Sequence, residues 1–168
     1  MITLKKANLE DVEKEFLFIT HLPENENGFT NNFYGISKDE FYSKTIYQIM
    51  NYAEGKDLPR GFVPETYFFL WEDSNIIGLF RIRHYLNDFL RKGAGHIGYG
   101  IHPDYRGRGY ATKGLALAIE EARKIISEDE IYLSVHISNI ASLRVQEKNG
   151  AALHHSDENE HYTRIKIR

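Results

Sequence analysis

Arg106-Gly107-Arg108-Gly109-Tyr110-Ala111 stands between a short apolar stretch, Gly95 to Ile101 (GHIGYGI), and a long amphipathic run. The apolar stretch is β-branched and aromatic, and His102-Pro103-Asp104 closes it, because proline cannot donate to a ladder and Asp favours turns. A strand therefore ends near Ile101. From Tyr110 onward Ala111, Leu115, Ala118, Ala122 and Ile125 recur at helical spacing, with Lys113, Glu120, Glu121 and Lys124 elsewhere on the wheel, so a helix begins at about Gly109. The two glycines between strand and helix permit a tight turn and let a ligand approach without a Cβ in the way. The first N–H groups of a helix lack internal partners and sit at the positive end of its dipole. Strand, glycine loop and helix together predict an anion cradle that suits a diphosphate.

Two common phosphate loops fit poorly. A dinucleotide fingerprint matches at Gly107-x-Gly109 but needs a third glycine where the chain has Thr112, and no Gly-Lys-Ser/Thr follows for a P-loop. The pattern Gln/Arg-x-x-Gly-x-Gly/Ala does fit, at Arg106, Gly109 and Ala111. With the strand end His-Pro-Asp-Tyr before it, this segment resembles the acetyl-coenzyme A binding motif of the GNAT family of acyltransferases. Further on, Asn139-x-x-Ser142 through Glu147-Lys148-Asn149-Gly150 resembles the helix that follows the next strand in that family. The resemblance runs from about Gly95 to Ala151 and is only architectural elsewhere. Taken alone, Asn139 and Gly150 have ordinary readings as a helix cap and a helix end.

Composition narrows the function classes. A chain of 168 residues without low-complexity tracts suits one domain over residues 1–168 with a proper core. It has no cysteine, which excludes disulfides, thiolate metal sites and a catalytic thiol, and agrees with a reducing cytoplasm. No long apolar segment follows Met1-Ile2-Thr3-Leu4-Lys5-Lys6, so neither a signal peptide nor a membrane span is expected. A net charge of −3 without a basic cluster gives little support to nucleic-acid binding. The eight histidines include His154, His155 and His161 beside Asp157, Glu158 and Glu160, but no metal-ligand spacing appears, and a solvated hairpin turn with no metal is the expectation.

Patterning gives the order β-α-α-β-β-β-α-β-α-β-β. A strand at Ile2 to Lys6 precedes a helix with Leu9, Val12, Phe16 and Ile19 on one face and Asn8 as cap. A loop from His21 to Ile36 leads to a capping box, Ser37-Lys38-Asp39-Glu40, in front of Phe41, Ile46, Ile49 and Met50. Tyr67 to Trp71 and Ile76 to Arg83 read as an antiparallel hairpin, and the Gly95 strand continues it. Beyond the long helix come a strand at Glu130 to Val135, the Asn139 helix, and strands Ala151 to His155 and His161 to Ile167. This is an α/β (α+β) arrangement of about seven mostly antiparallel strands and about four helices. The resemblance implies the GNAT acyl-CoA acyltransferase fold, with the sheet splayed between its fourth and fifth strands.

The same resemblance assigns roles. Main-chain groups of Ile101 and Pro103 would face the pantetheine arm of acetyl-coenzyme A, the cosubstrate. Arg106, Gly107, Arg108, Gly109, Tyr110 and Ala111 would hold the pyrophosphate, with Thr112 adding a hydroxyl, and Asn139 and Ser142 would contact the pantetheine or adenosine side. A lysine-like amine is protonated at neutrality, so attack on a thioester needs a base or a water chain. His96, near where the family places its base, is the candidate; a histidine bonded inside the sheet is the equal alternative. By alternation Tyr99 lies on the opposite face, as packing. His84 and Asp88 would line the acceptor pocket unless they are simply solvated loop residues. Many family members carry an acidic tyrosine just before Glu-Lys, and here that slot is Gln146. The expected activity is acetyl transfer to a primary amine, small-molecule or peptide, by direct attack, and the alternatives are a non-catalytic coenzyme A binding module and a nucleotide-binding domain. Family members often dimerise through late strands, which leaves a homodimer open for this chain.

Overall fold

The computed structural model describes residues 1–168. Strand β1 (Ile2–Lys6) leads to helix α1 (Val12–His21). The helix starts later than its apolar spacing suggests, because Asn8 Oδ1 accepts from the Asp11 N–H at 2.9 Å and caps a turn ahead of it, with Leu9 left exposed. The following loop contains a hairpin, β2 (Asn25–Glu26) and β3 (Phe29–Thr30), turned by Asn27 and Gly28 at φ 51° and 82°. Ser37 Oγ accepts from the Glu40 N–H at 3.2 Å and starts α2 (Lys38–Glu40), which passes through a π turn at Phe41–Thr45 into α3 (Ile46–Ala53).

Strands β4 (Glu65–Glu72) and β5 (Asn75–Arg83) form the expected hairpin. A short helix, α4 (Asp88–Lys92), follows where the sequence suggests loop; Asn87 caps it by accepting from the Leu90 N–H at 2.9 Å. Then come β6 (Ile97–Ile101), a 3-10 turn at Pro103–Tyr105, α5 (Tyr110–Ile125), β7 (Glu130–His136), α6 (Ile140–Lys148), β8 (Ala152–Ser156) and β9 (Glu160–Lys166). The seven expected strands are present, and β2 and β3 are additional. No helix is long and apolar enough to cross a membrane.

The strands fall into two main sheets, β1-β4-β5-β6 and β7-β9-β8, all of whose pairings are antiparallel. Both faces of the first sheet are covered, which explains the nearly continuous apolar sequence of β4 and β5. Phe68, Leu70, Phe80 and Ile82 pack with Leu115, Ala118 and Ala122 of α5, whose predicted buried stripe is thus realised. On the other face Tyr67, Phe69, Trp71 and Leu79 pack with Phe18 and Ile19 of α1 and Ile46 and Ile49 of α3.

The two sheets touch at one point. Gly95 bridges to Leu133, and the His96 N–H donates to the Tyr132 carbonyl at 2.7 Å. Beyond it the ladder stops, which places the splay between β6 and β7, the fourth and fifth strands of the sequence-based count. Gly95 has φ +69°, and a Cβ there would stand 2.1 Å from the Tyr132 carbonyl oxygen. Gly95→Ala is therefore expected to lower the unfolding free energy by about 2 kcal/mol or more, from left-handed strain and overpacking together. Urea denaturation checks this, and an unchanged midpoint would mean the junction relaxes freely.

Candidate active site

Where β6 and β7 part, a cleft with a cavity of about 520 Å³ opens between the sheets. Its walls come from β6, the start of α5, the end of β7, α6 and the β2–β3 hairpin.

The mouth is built of main chain. Gly107 and Gly109 adopt φ +75° and +79°, and α5 starts immediately after Gly109. None of the N–H groups from Gly107 to Thr112 has an acceptor within the chain; the first bonded amide of the helix is Lys113, to the Gly109 carbonyl. Successive free N–H groups with alternating glycine conformation form a concave nest for an anion, backed by the helix dipole. The Tyr110 hydroxyl bonds to Glu72 on β4 and anchors this helix start to the sheet.

The arginine side chains of the motif are placed less simply. Arg106 turns back: its Nε donates to the Ile101 carbonyl at 2.9 Å, and its guanidinium grips both carboxylate oxygens of Glu26 at 2.8 and 2.5 Å. That hydrogen bond holds the Glu26 carboxyl below the usual carboxylate range. Arg106 thus ties the β2–β3 hairpin to the mouth of the cleft, and the free positive potential there comes from the amides and from Arg108. Arg108 lies over the Tyr105 ring, 5.8 Å from its centroid.

Most other expected cofactor contacts gather on the same walls. Ile101, Arg106, Gly107, Tyr110, Ala111, Asn139 and Ser142 line the cleft; Pro103, Arg108, Gly109 and Thr112 do not, and the Thr112 carbonyl accepts from Asn149 instead. Asn139 caps α6 by accepting from the Ser142 N–H at 3.2 Å. In the β5–β6 ladder the His96 carbonyl accepts from Arg83 and the His102 N–H donates to Ile77, so the main-chain groups of Ile97, Tyr99 and Ile101 turn away from β5 toward the gap.

His96 precedes β6, is fully buried and is not part of the cleft wall. Its Nδ1 accepts from the Tyr132 N–H at 2.9 Å, and its Nε2 faces Glu128 at 3.6 Å. The imidazole takes the place of the strand carbonyl that Tyr132 would otherwise meet, and so ends the ladder. Burial pushes its pKa down to about 4, and Glu128 opposes that shift. His84 Nε2 bonds to Thr66 Oγ1 at 2.8 Å, and Asp88 sits in the first turn of α4; neither lines the cleft.

Tyr99, Arg81, Glu160 and the β2–β3 hairpin are site features that sequence reasoning missed. Tyr99 lines the cleft, stacks on Phe80 with ring centroids 5.3 Å apart, and bonds through its hydroxyl to Ser142 Oγ at 2.7 Å. Burial pushes its phenol pKa up. The hairpin places Glu26 and Phe29 on the wall, and the Asn27-Gly28 pair that turns it was the available signal. Gln146, in the slot where many relatives carry tyrosine, is buried and accepts from Thr163 at 2.7 Å.

A split sheet with an anion nest at the mouth of the split defines a class of α/β proteins that admit an extended phosphate-bearing ligand between two strands. The family model described as acetyltransferase (GNAT) domain matches residues 3–152, and the chain belongs to that family. No curated protein matches it in sequence. Similar solved structures include a GNAT-family acetyltransferase from Streptococcus pneumoniae, 16% identical with 100% of both chains covered and a TM-score of 0.70. The Campylobacter jejuni N-acetyltransferase PseH, in complex with acetyl coenzyme A, is 15% identical with 100% of both chains covered and a TM-score of 0.60. An acetyl transferase from Salmonella typhimurium that modifies the N-terminal serine of ribosomal protein L7/L12 is 14% identical, with 99% of this chain and 95% of that chain covered and a TM-score of 0.65.

His96 makes the stability of the fold depend on pH. Its folded pKa, about 4, lies below the ordinary 6.5, so its contribution is present above pH 6.5 and is lost as the pH falls toward about 4. His96→Ala is expected to lose that part of the acid slope and to destabilise by about 1–3 kcal/mol through the orphaned Tyr132 N–H. In any acetyl-transfer assay the acid limb of the kcat/KM profile is expected to stay in place; a displaced limb would put His96 in the chemistry.

Proposed function

We propose that the protein transfers an acetyl group from acetyl-coenzyme A to a primary amine by direct attack within the cleft. The observation that carries this reading is the run of free N–H groups from Gly107 to Thr112 at the mouth of a gap between two strands. Family membership supports it, as does the acetyl coenzyme A bound by the similar PseH structure.

In this reading the nest holds the pyrophosphate, with Asn139 and Ser142 on the opposite wall beside the pantetheine arm. The unpaired edge of β6 serves as half a ladder for that arm. The Tyr99 N–H, turned into the gap, is placed to take the thioester carbonyl oxygen as negative charge develops there. The ammonium first gives up a proton; the free amine nitrogen then attacks the carbonyl carbon, the C–S bond breaks, the nitrogen gives up a second proton and the thiolate gains one.

A group that accepts the amine proton belongs on the cleft wall. Of the two carboxylates there, Glu26 is held by Arg106, while Glu160, opposite His136 on β7, has no ion pair, and burial pushes its pKa up. We assign the base to Glu160, acting directly or through water. The Tyr99 hydroxyl, kept protonated by burial and linked to Ser142, is the donor for the thiolate in place of the absent tyrosine at position 146. A thiol with a pKa of about 8.5 leaves tolerably without full protonation, so the effect of losing this donor should be moderate.

Coenzyme A at a hundred times its dissociation constant should stabilise the protein by about 2.7 kcal/mol, roughly 5–10 °C in Tm, and NAD should not. Acetyl-coenzyme A with an amine panel should give saturable thiol release. No shift with coenzyme A would refute the reading; a shift without amine-dependent thiol release would favour a coenzyme A binding module. Once an acceptor is found, Tyr99→Phe should lower kcat by about 10–100-fold with little change in the KM for acetyl-coenzyme A, since proton transfer contributes about 10²–10⁴-fold when fully required. An unchanged kcat would remove Tyr99 from the mechanism.

A further inference from the structure

Arg81 lies on β5 and lines the cleft, yet its residue exposure is only 7%. It stands in strand alternation with Leu79, on the sheet face that packs against α1 and α3. Its Nε–H is buried without an acceptor. No carboxylate comes within 4 Å of it, because the nearest acidic neighbour, Glu65, faces the Arg83 Nε at 3.8 Å. Its other neighbours are aromatic: the guanidinium carbon lies 4.9 Å from the Phe29 ring centroid and 5.8 Å from that of Tyr67. Burial pushes the Tyr67 phenol pKa up, so that hydroxyl stays neutral and offers the guanidinium a hydrogen-bond acceptor but no counter-charge. Arg81, Arg83 and Glu65 together leave one positive charge uncompensated beside the cavity.

An uncompensated buried guanidinium is expensive, and aromatic faces offset only part of the cost. Its placement is also specific. Arg81 is paired across the ladder with Gly98 on β6, where a Cβ would stand 3.7 Å from the Arg81 Nη2. The missing side chain leaves the guanidinium next to the β6 segment assigned above to the thioester. Arg83 lines the same cavity.

We propose that the acceptor is an amine that also carries an oxyanion, carboxylate or phosphate, and that Arg81 binds this group and thereby sets the amine against the β6 edge. The proposal deepens the acetyltransferase reading and rests on it for the identity of the bound group. A planar guanidinium suits it, since its fork matches two oxyanion oxygens at once. Phe29, on the hairpin held by Arg106 and Glu26, covers this position from above β6.

Wild-type protein saturated with coenzyme A, so that the nest is filled, is titrated with inorganic phosphate and separately with acetate while the Arg81 Nε–H resonance and the Tm are followed. The resonance should move saturably with at least one anion and the Tm should rise, and Arg81→Gln should lose the Tm response. A motionless resonance with both anions overturns the proposal, as does a Tm response unchanged in Arg81→Gln. Turnover adds two matched pairs, ethanolamine against phosphoethanolamine and phenethylamine against phenylalanine, which separate phosphate from carboxylate. The preferred anionic member should have kcat/KM at least tenfold above its neutral partner, and Arg81→Lys, which keeps charge but loses the fork, should narrow that ratio. A neutral amine that is the equal or better substrate in both pairs overturns the proposal. Failure of coenzyme A to bind would overturn the acetyltransferase reading instead, and the Arg81 resonance would still judge the anion site.

Discussion

The architecture depends on one pair of hydrogen bonds between β6 and β7. Tyr132 gives its carbonyl to the His96 N–H and its N–H to the His96 imidazole, at 2.7 and 2.9 Å. The second bond uses a side chain where a ladder would use a backbone carbonyl, so the pairing closes on itself and does not propagate. Gly95 permits the approach, since any Cβ there would collide with Tyr132. Joined at this point and free beyond it, the sheets enclose the cleft, and the edge of β6 is left with unpaired main-chain groups. Such an edge inside a fold is costly unless something pairs with it. In the proposed function the substrate supplies that pairing.

Charge in the cleft is distributed in a way the motif alone does not suggest. The cradle contains two arginines, but Arg106 is spent on Glu26 and the Ile101 carbonyl, and Arg108 lies on Tyr105. Main-chain amides therefore supply the directed hydrogen bonds for a diphosphate, with the unpaired charge of Arg108 beside them. A buried arginine without a carboxylate within reach, Arg81, sits on β5 between aromatic rings. Amides serve one end of the cleft and a buried guanidinium the other.

Much of this was legible in the sequence, for identifiable reasons. The α5 stripe, the β4–β5 hairpin and the Ser37 cap are local patterns, and each forms where its residues indicate. The Arg106-to-Ala111 loop was readable because a glycine turn between strand and helix has few conformational solutions. Tyr99 was not, since alternation assigns a face of the strand but cannot say that the neighbouring strand has moved away and opened that face to a cleft. The same limit applies to Arg81, whose significance lies in the absence of a partner from elsewhere in the chain. His96 illustrates the converse: its residue type suits a base, and its surroundings make it a backbone partner.

The most direct test of the account is to map the backbone amides of the protein by NMR as coenzyme A is added. The account predicts that the largest changes fall on the N–H groups of Gly107 to Thr112 and along Ile97 to Ile101, on the two sides of one cleft. Changes confined to other surfaces, or none at saturating ligand, would contradict it.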